Sequence, residues 1–128
     1  MKYYFNKTIK GTFEAVIDKV TLGLKEEGFG ILTEIDVTAT LKEKLGIDYK
    51  KYRILGACNA PYAHKALQAE DKIGTMLPCN VIVQEIEDGV FEVAAVNPMA
   101  SMQAVDNEKL NKVAEEITAK LEQIIKNL

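Results

Sequence analysis

The chain has 128 residues, the usual size of one domain, and its 48% hydrophobic content is enough to fill a single core. A net charge of −3 provides no basic field, so we expect neither nucleic acid nor a membrane surface as a partner. No apolar run approaches the roughly 18 residues of a membrane helix, and residues 1–3 lead directly into a strand-like segment, so we expect no signal peptide and a cytoplasmic location.

Alternating apolar residues predict strands along this chain, and apolar spacings of three and four predict helices. The expected elements are, in chain order, a strand over residues 2–10, a helix over 13–24, a strand over 29–37, a short helix over 39–45, a strand over 52–59, a helix over 61–69, a loop over 70–77, strands over 79–86 and 90–96, a turn over 99–102 and a long final helix. Thr38 is the expected N-cap of the short helix, and Asp106 that of the last helix.

The first and last helices have the most regular patterns. Each carries an apolar stripe, made of Phe13, Val16, Ile17, Val20 and Leu24 in the first helix and of Leu110, Val113, Ile117, Leu121, Ile124 and Leu128 in the last. Such stripes are expected to pack against a sheet. Between them, the helix over 61–69 is expected to bury Ala63, Ala66 and Leu67.

The turn Asp88-Gly89 lies between two β-rich runs and predicts a hairpin, so the strands on either side should be antiparallel neighbours. The fold class predicted is α+β, with one domain over 1–128 and the order β-α-β-α-β-α-β-β-α. We expect a mainly antiparallel five-stranded sheet with the long first and last helices on one face. The other face is then open to water, to a ligand or to a second subunit.

The stretch over residues 55–80 contains both cysteines, the only histidine and two of the three prolines. Cys58 and Cys79 each end or begin a predicted strand beside a proline turn, so we expect the two thiols to converge at one cavity. They are candidates for redox chemistry or soft-metal binding, since the N-terminus of the helix that follows Cys58 can lower a thiol pKa. The alternative interpretation, which the high average burial of free cysteine favours, is that both are small buried hydrophobic residues. The C-x₂-C spacing of zinc and thioredoxin-like sites is absent.

Further residues in or near this stretch are candidate contacts. His64, one turn into the helix after Cys58, could act as the base of a Cys–His pair with Asn59 orienting its ring, or could be a surface imidazole. Met76, Met99 and Met102 could ligate Cu(I) or haem in principle, or simply line an adaptable apolar pocket. Asn80 follows Cys79 as Asn59 follows Cys58, and the two amides could bind a polar ligand atom. We predict no metal and no cofactor.

Two segments, LGACNAPYAHKAL and IGTMLPCNVIVQE, follow an amphipathic first helix and the segment GFGILTEIDV. Together they resemble the bacterial and archaeal family called domain of unknown function 302, over nearly the whole chain. The family pattern maps onto Cys58, Pro61, Ala66, Gly74, Leu77, Pro78, Cys79 and Pro98. The resemblance implies a small α+β fold that tends to form homodimers, and it implies no established activity.

Two functions from different classes follow as expectations. The first is a homodimeric module that binds a small ligand in a mostly apolar pocket, with contacts from Cys58, Asn59, His64, Met76, Cys79, Asn80 and Met99. The second is a small thiol-dependent enzyme or redox protein that uses Cys58 or Cys79 together with His64. Thiol reactivity at neutral pH separates the two, because a thiol in a pocket wall reacts slowly and an activated thiolate reacts fast.

Overall fold

A computed structural model describes all 128 residues. Its elements are β1 (Tyr4–Lys10), α1 (Phe13–Glu26), β2 (Gly30–Asp36), α2 (Val37–Leu45), β3 (Tyr52–Cys58), α3 (Ala60–Ala69), a 3₁₀ helix (Asp71–Met76), β4 (Cys79–Glu87), β5 (Val90–Val96), α4 (Pro98–Ser101) and α5 (Glu108–Lys126). No helix has both the length and the apolar content needed to cross a bilayer.

The five strands form one sheet in the order β1-β5-β4-β3-β2, and every neighbouring pair is antiparallel. The predicted α+β class and element order are therefore confirmed. The predicted hairpin is β4–β5, whose turn contains Gly89 at a φ of 75°. That left-handed conformation is one that glycine adopts without steric cost, which explains the Asp-Gly pair at this position.

The main core lies between one face of the sheet and the helices α1 and α5. Val20 and Leu24 of α1 and Leu121 of α5 are essentially inaccessible and belong to the same cluster as Val83 and Val93 of the sheet. The apolar stripes predicted these contacts, because a helix in water buries the face on which its apolar residues recur. In α5 the buried face also includes Ala114 and Ile125, while Val113 and Leu128 are only half-buried.

A second, smaller core cluster packs beside the first. It is formed by Ala66, Ile73, Met102, Leu110 and Ala114, which come from α3, the 3₁₀ helix, the chain after α4, and α5. The predicted loop over 70–77 is wrong in this respect, because Asp71–Met76 forms a 3₁₀ helix that holds Ile73 at 1% exposure. Burial of this isoleucine needs an ordered turn beneath α5, which local sequence does not reveal.

The N-caps predicted for α2 and α5 were both wrong. Asp36 caps α2 by accepting a 2.9 Å hydrogen bond from the Ala39 amide. Thr38 lies inside that helix, and its hydroxyl instead donates to the Lys50 carbonyl at 2.7 Å. Asn107, and not Asp106, caps α5. Its side-chain nitrogen also donates to the Ala69 carbonyl at 2.7 Å, so this residue links α5 to the end of α3.

The opposite face of the sheet carries a half-buried apolar surface. By register, this open face contains Tyr4, Tyr52, Ile54, Ile82, Ala94 and Val96, which alternate with the core residues. At its centre the Glu92 carboxylate accepts hydrogen bonds from Asn6 at 2.8 Å and Gln84 at 2.7 Å. Two acceptor positions of the carboxylate are thus filled by neutral amides, and the negative charge of Glu92 remains within a mainly apolar surface.

Candidate functional site

A cavity of about 370 Å³ lies between one end of the sheet and the helices α3, α4 and α5. Of its 18 lining residues 14 are hydrophobic, which is typical of small-ligand pockets. The lining comprises Phe29, Leu32, Ala57, Cys58, Asn59, Tyr62, Ala63, Ala66, Leu67, Gly74, Leu77, Pro78, Cys79, Pro98, Met102, Val113, Ala114 and Ile117. No Asp, Glu, Lys, Arg or His is among them, so the cavity offers no formal charge to a ligand.

Strand pairing brings the two cysteines to this cavity. In the β3–β4 ladder Ala57 faces Cys79, so the last residue of β3 and the first residue of β4 adjoin at the same end of the sheet. The Pro78 ring packs closely on Gly56, and a Cβ atom at residue 56 would lie only 2.8 Å from it. The absence of that atom lets the proline turn before β4 pack closely against β3 and complete the cavity wall.

The two thiols differ in their surroundings. Both are free, but Cys58 is half-buried whereas Cys79 is 8% exposed. Burial raises the pKa of Cys79 to about 11, and the negative charge that the nearby Cys58 would carry as a thiolate contributes further. At neutral pH Cys79 is therefore a protonated, weakly reactive thiol. It serves the cavity as a small apolar wall group.

Asn59 is the buried polar side chain of the cavity. It occupies the N-cap position of α3 but makes no capping hydrogen bond. Its Nδ2 instead donates to the Glu27 carbonyl at 3.1 Å, across a close approach to Gly28. A Cβ at Gly28 would lie 3.2 Å from that nitrogen, and the φ of 86° at this glycine also disfavours a side chain. The amide is thus fixed in orientation, with its Oδ1 free of any protein donor.

Three of the seven predicted contact residues, Cys58, Asn59 and Cys79, line the cavity together. The other four do not line it. His64 is exposed on α3 and Met76 is 38% exposed. Asn80 contributes to a shallow depression on the open face, and Met99 is half-buried against the second core cluster. The Cys–His arrangement expected from sequence is therefore not assembled around this cavity.

Sequence reasoning missed Tyr62, a large aromatic wall of the cavity. Its ring packs on the main core, and the ammonium groups of Lys65 and Lys120 lie 5.2 Å and 6.0 Å from its centroid. Its position could have been predicted from the helical spacing, because Tyr62 shares a face with Ala63, Ala66 and Leu67, which were expected to be buried. That face borders the cavity, which explains why Leu67 remains 41% exposed.

Arg53 is the prominent cation at the other end of β3, and it is occupied by acidic partners. Its guanidinium lies 3.2 Å from Glu34, 3.6 Å from Glu14 and 3.7 Å from Asp36. It also stacks over the Phe13 ring at 5.1 Å. Three carboxylates around one cation leave no positive charge for an anionic ligand. No group of three or more His, Cys, Asp or Glu residues is placed to hold a metal ion.

The comparisons with known proteins agree on the family. The family model described as "Domain of unknown function DUF302" matches residues 5–128. A crystal structure of an uncharacterized conserved DUF302 protein from Bacillus stearothermophilus has a TM-score of 0.90 and 26% identity, and the match covers 98% of each chain. No curated protein matches the chain. On these grounds the chain belongs to the DUF302 family.

Proposed function

We propose that this protein is a homodimeric binding module for a small, mostly apolar ligand held in the cavity beside Cys58 and Cys79. The observation that carries the proposal is the cavity itself, with 14 hydrophobic residues among its 18 lining residues. An apolar cavity that stays open costs stability through lost packing, so its presence in an otherwise well-packed small fold favours a ligand that fills it.

The cavity volume sets the size of that ligand. An engineered apolar cavity of about 150 Å³ accommodates benzene, so a volume of about 370 Å³ suits a molecule roughly twice that size. A two-ring aromatic compound or a branched chain of about ten carbon atoms meets this limit. Natural ligand pockets begin at about 300 Å³, which places this cavity at the small end of their range.

The thiol-dependent enzyme remains the alternative proposal. The raised pKa of Cys79 and the exposed position of His64 favour the binding module, because no thiolate–imidazole pair is set at the cavity. Alkylation of the Cys58→Ala and Cys79→Ala variants at neutral pH separates the two proposals. We expect the thiol of each variant to react no faster than that of free cysteine. A markedly faster thiol at either position would favour the enzyme.

Ligand binding can be tested directly with 1-naphthylamine, an uncharged two-ring dye whose fluorescence emission shifts to shorter wavelength in apolar surroundings. We expect saturable binding of one dye per chain. Ala63→Trp should abolish it, because Ala63 lines the cavity and an indole there would fill it. Ala119→Trp is the matched control, since Ala119 is an exposed residue of α5 outside the lining. Absence of dye binding, or equal binding by the two variants, would contradict the proposal.

The dimer part of the proposal is supported by the open face. This half-buried surface is apolar around the hydrogen-bonded Glu92 carboxylate, and a second copy of the same sheet is a partner that matches it. The two edge strands suit side-by-side pairing less well, since β2 has a bulge between Ile31 and Thr33 and ends with a charged Asp36, and β1 ends with a charged Lys10. Face-to-face packing is therefore the arrangement we propose.

Light scattering at micromolar concentration tests this dimer. The wild type should give twice the chain mass, and Ile82→Asp should give the monomer because it places a charge in the open face. Leu22→Asp is the control, because Leu22 is 58% exposed on α1, away from the sheet. A monomeric wild type would refute the dimer. We keep a cytoplasmic location within the proposal, since two free cysteines are typical of reducing compartments.

A further inference from the structure

We infer that the ligand of this cavity is uncharged and carries a hydrogen-bond donor, a hydroxyl or an N–H group, which it presents to the Oδ1 atom of Asn59. The inference rests on the proposed binding function and narrows its ligand to a chemical class. It follows from three observations on Asn59, namely its burial, the orientation of its amide and the unused acceptor that remains.

The orientation of the amide is determined by the protein. Asn59 is 8% exposed, and its Nδ2 lies 3.1 Å from the Glu27 carbonyl oxygen. A flipped amide would place two acceptors against each other at that distance, so the nitrogen must face Glu27. The Oδ1 atom is then the group left over, and it is not paired with any protein donor.

The unused acceptor is unusual for this fold. Asn97 and Asn107 also occupy helix N-cap positions, and both use Oδ1 to accept main-chain amides, from Met99 in one case and from Lys109 and Leu110 in the other. Asparagine is favoured at N-caps for that bond. Asn59 forgoes it, because its amide is turned toward Glu27. The oxygen that would normally cap α3 is thereby released.

The released oxygen remains accessible. No polar side-chain atom in the protein is both shielded from solvent and without a hydrogen-bond partner, so this unpaired Oδ1 must retain accessible surface. Asn59 lines the cavity, where the surrounding walls are Phe29, Tyr62 and the two cysteines. An acceptor in a wall of this kind selects a donor, because a ligand without one leaves the amide oxygen desolvated and unpaired.

Charge selection follows from the same lining. No charged side chain is among the lining residues, and the ammonium groups of Lys65 and Lys120 lie over the Tyr62 ring, so an anionic or cationic group would lose hydration in the cavity without a counter-ion in its wall. An anion would in addition meet the amide oxygen as a second acceptor. The lining thus favours a neutral molecule such as a phenol, an aliphatic alcohol or an indole over a carboxylate of the same size.

Matched naphthalene derivatives test this inference, with displacement of the neutral dye as the readout. The probes are 2-naphthol, which donates, 2-methoxynaphthalene, which only accepts, and 2-naphthoate, which is charged. We expect 2-naphthol to bind about tenfold more tightly than 2-methoxynaphthalene to the wild type, the worth of one buried hydrogen bond. Binding of 2-naphthoate should be weaker than that of both neutral probes.

The ratio of the two neutral affinities should fall to about one in Asn59→Leu and in the smaller Asn59→Ala, neither of which has a side-chain acceptor, and stay unchanged in Asn111→Leu. Asn111 is an exposed residue of α5 outside the lining. A ratio compares probes within one variant, so a change in fold stability does not alter it. A wild-type ratio of one, or tighter binding of 2-naphthoate, overturns the inference but leaves the binding module intact. Failure of every probe to displace the dye overturns the inference, and failure of the dye itself to bind overturns both.

Discussion

The Nζ of Lys7 in β1 donates a 3.0 Å hydrogen bond to the main-chain carbonyl of Lys126 in the last turn of α5, and it also bonds the Leu128 carbonyl. In the sequence, Lys7 interrupts the apolar face of the first strand. In the structure it satisfies carbonyls that a helix C-terminus leaves unpaired, and its charge faces the negative end of the helix dipole. The polar residue on a core-facing strand position is thus explained by the end of a helix 119 residues later.

Replacement of Lys7 tests this contact. Lys7→Met keeps most of the aliphatic stem and removes the ammonium, so the unfolding free energy should fall by about 1–2 kcal/mol. Lys10→Met, an exposed position on the same strand, should change it by less than about 0.5 kcal/mol. Urea denaturation measures both values. Equal losses would mean that the contact with α5 contributes nothing specific.

The second prediction concerns the face of α5. Leu121 is 1% exposed in the main core, whereas Glu116 points to water. Leu121→Ala should therefore lower the unfolding free energy by about 2–5 kcal/mol. Glu116→Ala should change it by less than about 0.5 kcal/mol. Comparable losses at the two positions in chemical denaturation would show that the apolar stripe does not face the sheet.

The third prediction concerns Gly56 and the proline turn. A Cβ at this residue would press on Pro78 at 2.8 Å and on the Thr33 side chain, so Gly56→Ala should lower the unfolding free energy by about 1–3 kcal/mol. Because Pro78 lines the cavity, the same change should also weaken dye binding. Gly30→Ala is the control, since nothing lies within 4 Å of its Cβ position. If Gly56→Ala matches this control in stability and dye affinity, the close packing is not needed.

The elements that local patterns predicted are those whose signals lie within a few residues of one another. The stripe of α1 and the Asp88-Gly89 turn are of this kind, and the structure contains both as expected. The two cysteines also came to one cavity, because strand order and the two proline turns restrict where Cys58 and Cys79 can lie. Contacts between residues far apart in the chain could not be predicted from such local patterns. Ile73 is ordered by contact with α5, which follows it by dozens of residues.

The candidate site shows the same division. From sequence, His64 could have been placed at the margin of the cavity face, because it lies about 160° around the helix from Tyr62 and about 60° beyond Leu67. Met99 could not have been excluded, since its position depends on how α4 docks against α5. The role of Asn59 could not be predicted from sequence either. Only the positions of Gly28 and the Glu27 carbonyl show that Nδ2 of Asn59 is hydrogen-bonded and that Oδ1 is not.

The last prediction uses the pKa of Cys79, which burial raises from 9.0 to about 11. Between these two values the folded protein keeps a proton that the unfolded chain releases. The folded state therefore binds more protons, and stability must fall as pH rises through this window, while the full contribution of the thiol is present below about pH 9. Over the window, the wild type should lose up to about 2–3 kcal/mol more than Cys79→Ala.

Urea unfolding at several pH values through the window measures this difference, with Cys58→Ala as the control. The Cys79→Ala change also lowers the unfolding free energy because it removes a buried side-chain atom, but this loss is the same at every pH. Ionisation of the thiol is therefore measured only by how steeply the unfolding free energy changes with pH. The control should keep most of the wild-type slope, because burial is the larger cause of the shift and the neighbouring Cys58 the smaller. Parallel curves for the wild type and Cys79→Ala would mean that this thiol ionises as freely in the fold as in the unfolded chain, and Cys79 would then return as a candidate nucleophile.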